Sequence, residues 1–344
     1  MATERPIIIC TRGSALALAQ SNLIAAMCRA AFPRLRFELK IIKTTGDKLQ
    51  KASMAKKGDQ AESLPKGLFT KELEVALIKG QADFAVHSLK DLPTDLPPGL
   101  ILAATPKRED VRDVLIYRDA AFLKQQKEMI REQVDWSPGQ SDLRGFNPHL
   151  KLKNFPRGAT IATSSTRRKQ SLLSVRPDLR IVEIRGNVAT RMQKVAERGE
   201  IDATVLALAG MKRLNFDIND DGTIKGDAVP DGLLATVLSL DEMLPCVGQG
   251  AIGIEARADD ERILKIVERL NHFNTFHAVT AERAFLRGMG GGCQSPVGAH
   301  AEIVGDKVTL KAISFRDETV KRGDGKKLIA EAAELGERIA AELK

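Results

Sequence analysis

Two short motifs in this sequence combine reactive side chains with backbone that can present them. The first is GGGCQSP, in which Cys293 follows the glycines at 290–292. Glycine adopts backbone conformations closed to other residues, so this thiol lies on an adaptable loop and can serve as a nucleophile or a covalent tether. The alternative is that Cys293 is a small buried hydrophobic residue, as many free cysteines are.

The second motif, HSLKDLP at 87–93, follows a short apolar run that predicts a strand. A turn at the end of this strand presents Ser88, Lys90 and Asp91 together. One carboxylate beside one ammonium suits proton transfer or stabilisation of a developing positive charge. Aspartate before Leu-Pro is also typical of an ordinary turn, and the motif alone leaves both interpretations open.

A third set consists of arginines placed where strands end and helices begin. Arginine binds carboxylates through two parallel hydrogen bonds, and helix N-termini already favour anions. Six such positions exceed what surface solvation requires, although each arginine taken singly is also interpretable as a solvated surface charge. They are Arg12, Arg167, Arg168, Arg185, Arg191 and Arg213.

The composition restricts the partner and the metal content. The net charge of +8 indicates an anionic partner. One Trp, one Tyr and a dispersed charge argue against nucleic acid, and a polycarboxylate or phosphate ligand explains the charge equally well. Cys10, Cys28 and Cys246 are interpreted as small buried hydrophobic residues. Because neither cysteines nor histidines have metal-binding spacing, we expect no metal.

The sequence also carries expectations about the compartment. No apolar run approaches the roughly 18 residues needed to cross a bilayer, and the start MATERPIIIC lacks the features of a secretion signal. Free cysteines fit a reducing compartment. We therefore expect a cytoplasmic protein without membrane contact, although a chain trimmed of an organellar transit peptide would have the same features.

The elements that must position these residues follow from hydrophobic patterning. Residues 6–10 predict a buried strand, and Ser14 is a good N-cap for the Ala/Leu-rich helix that follows. Residues 160–165 repeat this plan, again with a serine before a helix. The candidate caps there are Ser164 and Ser165.

A second internal similarity links residues 71–88 with residues 191–208. Each segment predicts a helix, a turn and a strand, with Asp83 and Asp202 at matching places. Two similar α/β halves would bind ligands at the carboxyl ends of their strands, in a shared cleft. Chance similarity between two common helix–turn–strand units is the alternative.

Several segments depart from this repeating plan. Residues 118–157 are interpreted as an insertion that begins with a polar helix, and 46–66 have the composition of a mobile loop. Residues 215–232 form another Asp/Gly-rich excursion. Beyond about residue 272 we predict a helix, a hairpin turning near Gly305, and a terminal amphipathic helix over 326–343.

Together these motifs resemble the porphobilinogen deaminase family over nearly the whole chain. The resemblance is carried, in order, by TRGSALALAQ, KGLFTKELE, DFAVHSLKDLP, TSSTRRKQ, IRGNVATR, LPCVGQGAIGIE and GGCQSPVGA. It implies an α/β fold of three domains: two α/β domains of the type II periplasmic-binding-protein kind around a cleft, and a small α+β C-terminal domain. The implied boundaries are 1–108 with 250–270 for domain 1, 109–249 for domain 2 and 271–344 for domain 3.

The resemblance also implies an activity and a cofactor. The implied activity is that of a hydroxymethylbilane synthase, a transferase that deaminates porphobilinogen and joins four molecules head to tail on a dipyrromethane cofactor. The family's cofactor is bound through a thioether to a cysteine, which Cys293 matches. Asp91 matches the catalytic aspartate of the family. A monomer with no nucleic-acid or membrane partner is also implied. The alternative from another class is a solute-binding or sensor module on the same duplicated cleft.

The family's cofactor- and substrate-binding positions can be carried over residue by residue. They match Arg12, Ser14, Lys66, Ser88, Lys90, Thr163, Ser165, Arg167, Arg168, Arg185, Gly186, Asn187, Arg191, Arg213 and Gln249.

Overall fold

The structure is a computed structural model that describes residues 5–46, 70–133, 143–292, 295–316 and 319–344. Its contacts divide the chain into two compact units. The first unit comprises Met1–Val111 with Leu244–Lys344, and the second comprises Arg112–Met243. Within the described ranges, no helix combines the length and apolar character needed to span a bilayer.

Strands and helices alternate along most of the chain. The strands are β1 (Ile7–Arg12), β2 (Phe37–Ile42), β3 (Phe84–Ser88), β4 (Leu100–Ala104), β5 (Asp113–Arg118), β6 (Thr160–Ala162), β7 (Arg180–Val182), β8 (Ala203–Ala207), β9 (Asp217–Ile218), β10 (Ile224–Lys225), β11 (Leu233–Val237), β12 (Ile252–Arg257), β13 (Val297–Val304), β14 (Lys307–Ser314) and β15 (Lys321–Leu328). The helices are α1 (Ala15–Ala31), α2 (Lys71–Ile78), α3 (Ala120–Gln133), α4 (Thr166–Val175), α5 (Val188–Glu197), α6 (Leu208–Arg213), α7 (Glu261–Glu268), α8 (Phe273–Gly288) and α9 (Ala332–Leu343).

The first unit is built on a sheet with the strand order β2-β1-β3-β12-β4. The first three strands are parallel, and β12 runs antiparallel to β3 and β4. The Ile-rich β1 is buried, as expected for a strand covered on both faces. Ser14 caps α1 by accepting a hydrogen bond from Ala17 N, which confirms the predicted strand–cap–helix unit.

The second unit repeats this arrangement with the order β7-β6-β8-β5-β11. Strands β7, β6 and β8 are parallel, and β5 runs antiparallel to β8 and β11. Ser165 is the cap of α4, because it accepts from Arg168 N, whereas Ser164 Oγ donates to Ile184 O. β5, the first strand of the second unit in chain order, therefore occupies the same place in its sheet as β12, the strand by which the chain returns to the first unit.

One aspartate in each unit ties two neighbouring parallel strands together. Asp83 Oδ2 accepts from Ile8 N at 2.7 Å, and its own N–H donates to Ile8 O at 2.8 Å. Asp202 makes the same two bonds with Thr160, at 2.8 and 2.9 Å. This shared lock confirms that the similarity of 71–88 to 191–208 is structural and not a coincidence.

The C-terminal part of the first unit is an antiparallel sheet, β13-β14-β15, covered by α8 and α9. Its first hairpin turns at Gly305-Asp306, as predicted. The predicted start of the terminal helix at residue 326 is wrong. Residues 326–328 belong to β15, where alternate residues are exposed and the backbone pairs with β14; α9 begins only at Ala332.

The predicted fold class, two similar α/β halves with a small α+β C-terminal part, is confirmed. The three-domain boundaries and the cleft between the halves stay predictions. Helix α3 accounts for the start of the predicted 118–157 insertion, and β9 with β10 for part of 215–232. Most of the predicted 46–66 loop lies outside the described residues.

Candidate functional site

A pocket lies at the carboxyl ends of β1 and β3 in the first unit. The two strands are parallel neighbours, so the residues that follow them meet at one edge of the sheet. The structure thereby brings together four of the residues singled out in the sequence. The residues lining the pocket are Arg12, Ser14, Leu16, Ala17, Gln20, Thr70, Val86, His87, Ser88 and Asp91.

Asp91 ends a single turn of 3₁₀ helix, Leu89–Asp91, directly after β3. Leu89 is 2% exposed, and its N–H donates to Ala251 O at 3.0 Å. The buried leucine anchors the turn, while Asp91 and the neighbouring Lys90 remain only half-buried. The turn therefore places Asp91 in the lining of the pocket, with the half-buried Lys90 next to it in the chain.

Arg283 of α8 holds the chain that follows Asp91. Its guanidinium donates to the carbonyl oxygens of Leu92, Pro93 and Thr94 at 3.2, 2.7 and 3.3 Å. Burial lowers the pKa of Arg283 to about 10. Sequence reasoning missed this residue, because nothing in the pattern of α8 separates Arg283 from the other arginines of a helix.

Gln20 is a second pocket residue that sequence reasoning missed. It is 1% exposed on the inner face of α1, and its Nε2 donates to Ser88 Oγ at 2.9 Å. The available signal was a glutamine one turn before Ile24, on the apolar face of an Ala/Leu-rich helix. A buried amide needs a partner, and here the partner is a predicted site residue.

The glycine-rich loop approaches the same turn. Gly290, Gly291 and Gly292 all have positive φ values, 88°, 64° and 110°. A Cβ atom on Gly291 would lie 3.2 Å from Thr94 Oγ1, three residues beyond Asp91. The loop before residue 293 thus runs beside the Asp91 segment. Cys293 itself, like Lys66, lies outside the described residues.

In the second unit, two predicted arginines converge on one buried carboxylate. Arg167 Nη2 and Arg168 Nη2 each donate to Asp113 at 2.7 Å. Although burial raises the pKa of Asp113, the charges of Arg168 and Arg167 lower it well below its ordinary value. The two guanidiniums are nearly buried, and both bind the one Asp113 carboxylate.

Arg191 adds a third cation to this group. Its Nε donates to Gly186 O at 2.9 Å, and no carboxylate of the described residues forms an ion pair with it. Burial and then the charge of Arg168 lower the pKa of Arg191 to about 10. Gly186 has φ +118°, and a Cβ there would lie 2.7 Å from Thr190, so this turn requires glycine. An uncompensated guanidinium is a favourable place for an anion.

The other predicted residues of the second unit lie at strand ends and helix termini. Thr163 is buried after β6 and its Oγ1 accepts from Ser165 N at 3.2 Å. Asn187 is the exposed cap of α5, accepting from Thr190 N at 2.8 Å. Arg185 is exposed 3.6 Å from Glu183, and Arg213 ends α6.

Gln249 and the remaining cysteines have structural surroundings. Gln249 is 0% exposed, and its Nε2 donates to Val111 O at 2.7 Å. Cys10 and Cys28 are buried as predicted, and burial raises the pKa of each thiol to about 12. The same interpretation is wrong for Cys246, which is only half-buried and donates from Sγ to Gln249 Oε1 at 3.4 Å.

Comparison with known proteins identifies the family. The profile described as "Porphobilinogen deaminase, dipyromethane cofactor binding domain" matches residues 7–265, and that of "Porphobilinogen deaminase, C-terminal domain" matches residues 276–344. These matches define the chain as a transferase. It belongs to the porphobilinogen deaminase family.

Curated relatives agree over almost the full chain. The porphobilinogen deaminase of Syntrophomonas wolfei subsp. wolfei is 39% identical, covering 97% of this chain and 93% of its own. That of Chlorobium phaeobacteroides is 41% identical, covering 99% and 95%. Among solved structures, the BenM effector binding domain with benzoate is 18% identical with a TM-score of 0.38, over 78% of this chain and 92% of its own.

Proposed function

We propose that this chain builds hydroxymethylbilane from porphobilinogen on a dipyrromethane joined through a thioether to Cys293, with Asp91 as the catalytic carboxylate. The family membership makes the chain a transferase of tetrapyrrole biosynthesis that deaminates porphobilinogen and links four molecules head to tail. The observation that carries the assignment of residues is the pocket at the ends of β1 and β3, which contains Asp91; the glycine loop approaches Thr94, three residues further along the chain.

The residues present fit a dipyrromethane. Each of its pyrrole rings carries an acetate and a propionate, so the group is a polycarboxylate. Arg191 has no carboxylate partner in the described chain, and Arg12 lines the Asp91 pocket. Three successive glycines with positive φ leave room beside Thr94, where a Cβ would come close. When bound, dipyrromethane supplies the free pyrrole α-carbon to which the first porphobilinogen is added.

Asp91 is suited to stabilise positive charge. Porphobilinogen loses ammonia when the bond between its methylene carbon and nitrogen breaks, and positive charge then spreads onto the pyrrole nitrogen. A fixed carboxylate that accepts the pyrrole N–H stabilises this charge as it develops. The same carboxylate can take up the proton released when the new carbon–carbon bond forms. Leu89 and Arg283 hold Asp91 in place from both sides of its turn.

The arginines are proposed to bind the acetate and propionate groups. A hydrogen bond to a charged group contributes about 1.5–3 kcal/mol, so several arginines can hold a chain whose negative charge grows by two with each addition. Ser14, Ser88, Lys90, Thr163, Ser165, Asn187 and the backbone at Gly186 are proposed as further contacts. Lys66 is proposed on the family match alone.

We also infer a cytoplasmic monomer that binds neither nucleic acid nor membrane. The dispersed charge and the small-molecule substrate class support this. The family match over both profiles decides against a solute-binding or sensor module, because such a module has no need of a glycine-flanked cysteine or a third domain. Sedimentation at micromolar concentration tests the monomer.

Intact mass spectrometry tests the attachment. We expect the purified chain to be heavier than its sequence by two linked pyrrole units, and the Cys293→Ser chain to have its bare mass and no sustained turnover. Cys246→Ser is the matched control, since Cys246 is the half-buried thiol of the described chain, and it should keep the added mass. An added mass on Cys293→Ser, or normal turnover by it, would overturn the attachment.

A further inference from the structure

Directly beneath the pocket, a histidine and a glutamate form a buried pair. His87 Nε2 lies 2.9 Å from Glu255 Oε2, and the two side chains are 3% and 0% exposed. His87 belongs to β3 and lines the pocket, and Ser88 follows it. Glu255 lies on β12, so the pair joins two adjacent strands at the end from which the Asp91 turn emerges.

Three further titratable groups lie near this pair. Burial, partly offset by a hydrogen bond with Thr70, and then the charge of Glu255 raise the pKa of Glu74 on α2. The Cys10 thiol of β1 and the Arg283 guanidinium of α8 are also within the electrostatic reach of Glu255. Glu255 Oε1 has no hydrogen-bond partner in the described chain. A buried carboxylate oxygen without a partner costs stability, so the pair is poorly explained as a device for folding.

The second unit shows that the sheet does not need this pair. Counting along the strands from the locking aspartates, His87 corresponds to Leu206. Glu255 and Ile116 each pair with the residue two positions beyond the aspartate, so they correspond as well. Leu206 and Ile116 are 3% and 0% exposed, as buried as the pair they replace. The same framework is therefore complete with two apolar side chains.

We propose that His87 and Glu255 are a positioning pair for the reaction, holding the carboxyl end of β3 so that the Ser88–Asp91 segment faces the substrate. Glu255 binds the imidazole across the β3–β12 ladder, one residue before Ser88 hydrogen-bonds Gln20. If the end of β3 moves, Asp91 moves with it, because the Asp91 turn follows β3 directly. A misplacement of about 1 Å can lower the rate on the order of a hundredfold. The inference rests on the proposed role of Asp91.

The test transplants the second unit's residues into the first. The His87→Leu/Glu255→Ile double variant removes the hydrogen bond that holds the carboxyl end of β3. It introduces the two side chains that occupy the corresponding positions of the second unit, Leu206 and Ile116. Replacing a buried polar pair by well-packed apolar residues of similar volume is often neutral or stabilising. We expect an unchanged or higher urea midpoint, normal primer mass, kcat lower by about ten- to a hundredfold, and KM within about threefold.

A readout that needs neither primer nor turnover accompanies the kinetics. In the Cys293→Ser background, amide hydrogen exchange over residues 84–92 should be faster in the double variant than with the native pair. Glu255→Gln keeps a hydrogen-bond acceptor for His87, and should retain kcat within about threefold because positioning needs the bond and not the charge.

Native exchange and native kcat in the double variant would overturn the inference. So would a loss in Glu255→Gln as large as that in the double variant, which would make the charge the active feature. An active Asp91→Ala enzyme would instead overturn the proposed function, so the two failures are distinguishable. If the double variant unfolds, Glu255→Gln with His87→Gln decides the matter by the same two readouts.

Discussion

The ends of β3 and β8 show how two copies of one framework have come to differ. Both strands carry the locking aspartate at their start and occupy the same place in their sheets. β3 ends at Ser88 and is followed by Lys90 and Asp91, whereas after β8 the chain continues into the mostly buried Leu208–Arg213 helix. The first unit thus offers a carboxylate at this position, and the second does not.

The antiparallel strands β12 and β5 differ in the opposite sense, because here the second unit has the carboxylate. Ile252 of β12 pairs with the last residue of β3, and Asp113 of β5 pairs with the last residue of β8. An apolar side chain in the first unit is replaced by a carboxylate that gathers Arg167 and Arg168 in the second. The comparison teaches that a few buried positions divide the proposed work: chemistry in the first unit and anion binding in the second.

Removing the carboxylate of the first unit should have the largest effect. Asp91→Ala is expected to lower elongation by roughly a hundredfold or more, because proton transfer and charge stabilisation by one group contribute on the order of 10²–10⁴. The primer mass and the urea midpoint should stay normal. Rapid-quench kinetics measures the rate, with Asp95→Ala, an exposed aspartate on the same loop, as control. If Asp91→Ala and Asp95→Ala slowed elongation equally, Asp91 would have no special role, and the first unit would no longer differ from the second by a catalytic carboxylate.

Removing the carboxylate of the second unit should act on stability first. Asp113→Ala leaves two buried guanidiniums without their partner and should cost roughly 3–5 kcal/mol in free energy of unfolding. Urea unfolding measures this, and Asp178→Ala, which breaks the Arg176 pair at the surface, should change it far less.

The pH dependence of that difference has a defined sign. Because the arginines hold the pKa of Asp113 below its ordinary value, its contribution is fully present above the unfolded value of about 4 and is lost as the pH falls through the folded one. The gap between wild type and Asp113→Ala should therefore be full at pH 7 and shrink only below about pH 4. A gap that already shrinks between pH 7 and 5 would contradict the assignment.

Arg191→Met should act on binding more than on folding. Loss of one charge-assisted hydrogen bond, about 1.5–3 kcal/mol, corresponds to a rise in KM of roughly ten- to a hundredfold. Stability should be kept or slightly raised, since the variant removes a half-buried cation that forms no ion pair among the described residues. Arg198→Met changes an exposed arginine next to the end of the same helix and should leave KM unaltered. Steady-state kinetics on both variants makes the comparison.

A pair of glycine variants tests the approach of the glycine loop to the Asp91 segment. Gly291 and Gly305 share φ +64°, but only a Cβ at 291 would meet a neighbour, Thr94 Oγ1 at 3.2 Å. Alanine at either position should cost a similar amount, about 1–2 kcal/mol, in left-handed strain. Only Gly291→Ala should also slow turnover, by about two- to tenfold. Equal turnover in Gly291→Ala and Gly305→Ala would contradict a contribution of the glycine loop to the Asp91 site.

Local patterns were enough for much of the fold. Apolar runs and capping serines predicted β1, α1, β6 and α4, and the repeated helix–turn–strand unit predicted two like halves. The same reasoning failed at residues 326–328, where charged residues before a helical pattern form part of β15. An edge strand with one exposed face leaves little apolar signal, and the partners of these residues in β14 lie 17 to 21 positions away.

In the candidate site, too, the sequence determined some features and the tertiary structure decided others. Short motifs determined which residues carry charge and hydrogen-bonding groups: Cys293 among glycines, Asp91 after a strand, and arginines at helix starts. Only the tertiary structure decided which partners hold them. Four contacts each join residues at least 54 positions apart in the chain. They are Gln20 with Ser88, Arg283 with the loop after Asp91, Asp113 with two arginines, and Glu255 with His87. Periodicity and turn chemistry act over a few residues, whereas a buried polar group takes whichever partner the packing of the sheet brings within reach.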